Sequence, residues 1–121
     1  MKAIAFTAAL AAAVFAGTLA QAHAVLRKAN PAPAAVVKTA PKTLRLHFNE
    51  AVLPKFTTLE VIGPNQQALH AGPVAVDRKT KKVVTAPLHG AGAPGLYTVT
   101  WTAATSDMHK MKGSYTFTVR P

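Results

Sequence analysis

Cysteine is absent from the 121 residues, which excludes disulfides, thiolate metal sites, iron–sulfur clusters and thiol nucleophiles. Carboxylates are nearly as scarce, with Glu50, Glu60, Asp77 and Asp107 making up the whole acidic complement. Four dispersed carboxylates do not build an all-oxygen cage for calcium or magnesium. Serine occurs only as Ser106 and Ser114, and neither has the nucleophile-elbow context of a hydrolase. Beyond residue 22 no stretch repeats its apolar residues with the 3.6-residue period of a helix.

What the chain has in quantity is apolar and basic residues. Apolar types make up 50% of it, which suits a packed globule, and the length suits one domain. Fourteen Lys and Arg give a formal charge of +10, which becomes +9 without Lys2. The cations are dispersed except for Arg78, Lys79, Lys81 and Lys82. No aromatic residue is interleaved with that cluster to stack bases, so it reads as a solvated turn or hairpin end. Nucleic acid is not an expected partner. The charge suits solubility and weak attraction to anionic surfaces.

Residues 1–22 read as a cleaved signal peptide. Lys2 supplies a positive start, and the run from Ala3 to Leu19 is interrupted only by Thr7, Gly17 and Thr18. Ala20-Gln21-Ala22 then forms a small-x-small cleavage signature. Ala22-His23-Ala24 forms a second one, so cleavage can fall after Ala22 or after Ala24. The first choice makes His23 the new N-terminus of a domain spanning 23–121, and the second removes it.

Three segments alternate with period two. Leu44, Leu46 and Phe48 share one face of Thr43–Asn49, Tyr97, Val99 and Trp101 one face of a second run, and Tyr115, Phe117 and Val119 one face of a third. Such alternation predicts half-buried strands. Phe56–Ile62 is rich in β-branched residues and stops at the turn signal Gly63-Pro64-Asn65. Ala68–Val76 and Lys82–Ala86 are weaker strand candidates, and Asn30–Pro41, with three prolines, favours extended or turn backbone. Short, turn-bounded strands of this kind predict an all-β two-sheet sandwich.

Candidate chemistry lies between the last two strands, in Thr105-Ser106-Asp107-Met108-His109. In an extended chain Asp107 and His109 project to the same side, where a carboxylate oxygen and an imidazole nitrogen can grip one ion. Met108 then points away and packs. Alone, an Asp-x-His pair is weak evidence. A new N-terminal His23 adds its α-amino nitrogen and imidazole Nδ1, completing three nitrogens and one oxygen, a set suited to tetragonal Cu(II). Glu50 keeps the strand parity of Leu44, Leu46 and Phe48. It either partners the new amine or a ligand imidazole, or lies past the strand end in solvent. His47, His70 and His89 fit exposed or loop positions and are not counted as ligands. Trp101 is expected in the core.

Here the chain resembles the CopC periplasmic copper-binding family, which includes the PcoC-type copper-resistance proteins. The resemblance runs over the whole chain. It rests on Ala22-His23-Ala24 after the signal, Asn30-Pro31-Ala32-Pro33, and Leu44-x-Leu46-x-Phe48-x-Glu50-x-Val52. It continues through Gly95-x-Tyr97-x-Val99-x-Trp101, Ser106-Asp107-x-His109 and Gly113-Ser114-Tyr115-x-Phe117-x-Val119. The resemblance implies an immunoglobulin-like or cupredoxin-like Greek-key sandwich or barrel of about seven strands. It also implies Cu(II) held by His23, Asp107 and His109, an acidic residue such as Glu50 nearby, and no catalysis. A periplasmic monomer is expected, with an inner-membrane copper transporter or another envelope copper protein as partner. Beyond residue 22 the only methionines are Met108 and Met111, so the methionine-rich Cu(I) loop of some members is missing. Two other classes remain open at this point. One is a histidine-brace copper oxidase, resembling the oxidative polysaccharide monooxygenases, in which Asp107 would crowd the position oxygen needs. The other is a metal-free immunoglobulin-like adhesion or assembly module.

Overall fold

The computed structural model describes residues 23–121. The signal-peptide expectation for residues 1–22 lies outside the described residues. Among the described residues nine strands form: β1 Leu26–Asn30, β2 Val36–Val37, β3 Thr43–Phe48, β4 Thr58–Ile62, β5 Ala68–Pro73, β6 Ala75–Val76, β7 Val83–Pro87, β8 Gly95–Ala104 and β9 Lys110–Val119. Seven have five or more residues, and β2 and β6 are two-residue bridges, so the expected count holds for the main strands.

One sheet has the order β1-β3-β7-β6, the other β2-β9-β8-β4-β5. All pairings are antiparallel except β2 with β9. The two sheets stay distinct, which makes the molecule a sandwich. The period-two segments supply its core. Leu44 and Leu46 of β3, Val84 and Ala86 of β7, Val61 of β4 and Val99 of β8 are fully buried, and Tyr97 and Phe117 nearly so. Their outward neighbours on β8 and β9 are mostly threonines, which favour the pleat without requiring burial.

Two parts of the pattern were not visible in the sequence. β1 lies within a stretch, Leu26-Arg27-Lys28-Ala29-Asn30, where only Ala29 is buried. A bulge between Leu26 and Lys28 breaks its register against β3, and a bulge shifts side chains off strict alternation. The strand expected from Phe56 begins at Thr58 instead. Pro54–Phe56 forms a 3-10 turn with proline in its first turn, where the missing N–H costs nothing, and Phe56 stays on the surface.

Strand direction defines two ends of the sandwich. The ends of β3 and β8 and the starts of β1, β7 and β9 meet at one, together with the β6–β7 turn. The 31–42 connection, the 88–94 loop and Arg120 meet at the other. Residues 23–25 and the β8–β9 loop fall at the same end although they belong to different sheets.

Candidate metal centre

Segment 49–57 joins the two parts of the site. Val25 N–H donates to Asn49 Oδ1 at 2.6 Å, and Asn49 N–H donates back to the Val25 carbonyl at 3.0 Å. Four residues on, Leu53 N–H donates to the Ala104 carbonyl at 2.8 Å, and Thr57 Oγ1 donates to the Leu53 carbonyl at 2.8 Å. One short connection thus holds both the N-terminal segment and the end of β8. Ala24, 1% exposed, is built into the core beside them.

Trp101 and Gly113 set the base of the hairpin below the loop. They are opposed in the β8–β9 register, and the indole lies edge-on to Phe48 at 5.1 Å between centroids. A Cβ on Gly113 would come within 2.3 Å of Trp101 Cζ2. Only glycine lets the indole lie across β9. Trp101 is 8% exposed, as expected of a core residue.

The loop itself is a tight turn, not the extended chain that the spacing suggested. Met108 N–H donates to the Thr105 carbonyl at 2.9 Å, Thr105 N–H to the His109 carbonyl at 3.2 Å, and Met108 has φ of 66°. Buried Thr105 donates its hydroxyl to Asp107 Oδ1, which also accepts the His109 N–H at 3.2 Å. These donors, the Thr105 hydroxyl foremost, hold the Asp107 carboxyl below its ordinary value. Asp107 and His109 still converge, but through this turn. Met108 does not pack inward and is 54% exposed, while Met111 packs partly against the core.

Asp107 Oδ2 lies 3.0 Å from His109 Nδ1. This exposed contact is an ion pair or a hydrogen bond. That separation is ordinary hydrogen-bond distance, and it leaves both side chains on the same side of the turn. The ring of half-buried His23 stacks near that of His109, with centroids 5.7 Å apart and planes at 27°. One ion bonded at about 2 Å to a nitrogen of each ring fits that span. Among the described residues no three His, Asp or Glu side chains form a ready-made cage.

The other candidates separate cleanly. Glu50 falls in the bend after β3 and is half-buried, so strand parity does not carry it into the core. His47 lies on the outer side of β3, His70 contacts the Pro73 carbonyl at 3.1 Å, and His89 is exposed in a far-end loop. Asn49 and Thr105 are the positioning residues that the sequence pattern did not reveal. Asn49 reads as an outward strand residue and Thr105 as loop, and their roles depend on partners 24 positions away and in a turn of unknown shape.

The two-sheet β-sandwich thus brings an Asp-x-His turn and an N-proximal histidine together at one end. The CopC domain family matches residues 26–120, and the chain belongs to that family. It is 36% identical over 99 residues to "Protein YobA" of Escherichia coli strain K12, covering 82% of this chain and 80% of that protein. It is 32% identical over 124 residues to "Copper resistance protein C" of Pseudomonas syringae pv. tomato, covering 95% and 94%. The crystal structure of CopC from Methylosinus trichosporium OB3b superposes with a TM-score of 0.75 at 26% identity, over 82% of this chain and 95% of that one. A copper-related role follows from this membership.

Proposed function

We propose that the chain is a periplasmic Cu(II)-binding protein of copper homeostasis or resistance, which sequesters the ion or hands it to a membrane partner. Copper is cargo here, and no substrate is transformed. The observation that carries the reading is the approach of His23 to the Asp107–His109 pair across the two sheets. Cleavage after Ala22 would free the His23 α-amine and give, with both imidazoles and the Asp107 carboxylate, the N3O donor set that Cu(II) favours. Burial of Ala24 supports that cleavage point, because cutting after Ala24 would take a core residue from the domain.

Asp107 argues against an oxygen-activating centre, since a fourth strong donor fills the place that a reactive copper keeps open. The half-exposed rims of His109 and Asp107, at 49% and 40%, suit an ion that must leave again. Intact-mass spectrometry of the exported protein, with and without one equivalent of Cu(II), tests the reading. A mass starting at His23 that retains one copper is expected. A mass starting at Val25 without copper would replace this reading with the metal-free module.

A further inference from the structure

The cations are distributed unevenly between the two ends of the sandwich. Lys55, Arg78, Lys79, Lys81, Lys82 and Lys110 are exposed on loops or strand starts at the end that holds His23 and His109, against Lys38, Lys42 and Arg120 at the other. The topology assembles them from segments that the sequence separates. Val52 N–H donates to the Lys81 carbonyl and Phe48 N–H to the Lys82 carbonyl, both at 2.8 Å. Those bonds tie the basic β6–β7 turn to the same 49–57 connection that holds Val25 and Ala104. Lys110 directly follows His109, and its Nζ lies 5.7 Å from the Phe56 ring centroid.

Asp77, Asp107 and Glu50 offset three of these charges, and the end stays the more positive one because exposed Arg27 and Lys112, near the starts of β1 and β9, add to it. Asp77 turns onto its own loop, accepting from the Thr80 N–H at 2.8 Å and the Thr80 hydroxyl at 2.9 Å. Asp107 is engaged by Thr105 and His109, and Glu50 is half-buried. Three exposed apolar side chains sit among the cations on three different segments: Val25 at 45%, Phe56 at 37% and Met108 at 54%. A positive rim around a few apolar anchors is the make-up of a steered protein interface.

We infer that this end is a docking face for an acidic protein surface, whose carboxylates meet the lysine rim while its own metal donors reach the His109 side of the site. The inference rests on the copper-handling reading above and gives the chemistry of the exchange partner. A protein is favoured over a lipid surface because exchange needs a nitrogen or sulfur donor to approach the ion. Headgroup phosphates are hard oxygens that hold Cu(II) poorly beside imidazole.

The test uses the protein starting at His23 and two synthetic peptides with the same His-x-His pair, one flanked by four glutamates and one by four lysines. Copper transfer is followed by recovery of Trp101 fluorescence. Association of the metal-free protein with the labelled peptides is followed by anisotropy, so docking remains readable if copper binding itself fails. The glutamate peptide should associate more tightly and take copper about 10-fold faster at low salt, with the gap closing near ~0.5 M salt.

The triple variant Lys55→Glu, Lys82→Glu, Lys110→Glu should abolish the preference. The triple Lys38→Glu, Lys42→Glu, Arg120→Glu changes net charge equally at the far end and should keep it. Circular dichroism confirms that both are folded. Equal losses in the two triples, or no preference in the parent, would overturn the inference. So would binding to phosphatidylglycerol vesicles that depends on the site-end lysines without any preference between the peptides.

Discussion

The two ends of the sandwich are closed by the same long hairpin but held by different forces. At the far end Tyr97 stacks on Phe117 with centroids 4.9 Å apart. Its hydroxyl donates to the Ala93 carbonyl at 2.6 Å and accepts the Gly92 N–H at 3.3 Å. An aromatic body is buried there and its one polar atom is satisfied, which is the stable way to pin a glycine-rich loop. At the site end Trp101 packs on Phe48 below the loop, and above it backbone bonds and single polar side chains do the holding: Asn49 to Val25, Thr105 to Asp107, Thr57 to Leu53. Of these the Asn49–Val25 bond is exposed and the other two are part-buried. The difference sets a packed end that resists change against an end held by fewer and more exposed contacts, which is where the proposed copper site lies.

Substitutions that should affect one end and spare the other sharpen this contrast. The largest effect is expected from His23→Ala in the cleaved protein, with Cu(II) affinity falling about 100-fold, near 2.7 kcal/mol, and little change in melting temperature. The same change at His47, His70 or His89 should leave affinity within about twofold, within ~0.4 kcal/mol. Competition titration against a chelator of known strength measures all four, and equal losses would break the assignment. Gly113→Ala should cost about 2–3 kcal/mol of stability through overpacking against Trp101, read by urea unfolding. A neutral result would mean that the indole has room to move.

Tyr97→Phe removes both hydroxyl bonds at the packed end and should cost about 1–2 kcal/mol, with Cu(II) affinity unchanged. A matching loss of affinity would show that the ends are coupled. Asn49→Ala should do the reverse, lowering affinity about 3- to 10-fold, about 1 kcal/mol, through a less constrained N-terminal segment. The last expectation concerns pH and lies outside the neutral range. Burial pushes the Tyr115 phenol up to about 12, so the folded state favours its neutral form. Stability from this group is intact below pH 10 and declines as pH rises from there through about 12. Ultraviolet titration of the folded protein checks it, and a Tyr115 phenol that ionises near 10 would contradict the burial.

The strands of the core were legible because burial on one face imposes period two, and β3, β8 and β9 carry it without interruption. β1 was not, since a bulged edge strand with one buried residue leaves no alternation to read. For the candidate site, the approach of Asp107 to His109 was expected from spacing, although the reason they converge is a turn closed by Thr105 and the left-handed Met108. The proximity of His23 came from family resemblance and the chemistry of an N-terminal histidine; no local pattern encodes it. It depends on Asn49 holding Val25 and on Leu53 holding Ala104, contacts of long sequence separation. Glu50 shows the limit of parity arguments, because the strand ends at Phe48 and the bend resets the direction in which Asn49 and Glu50 project.

The central claim is that one copper ion joins the freed N-terminus to the Asp-x-His turn. It is tested most directly by comparing Cu(II) affinity in two folded chains, one starting at His23 and one retaining Ala22 in front of it. The second keeps every side chain and removes only the α-amine of His23 from reach. The account predicts at least about 100-fold weaker binding with Ala22 retained, near 2.7 kcal/mol, and a changed Cu(II) spin-resonance spectrum. Equal affinities and identical spectra would show that the α-amine is not a ligand and would contradict the account.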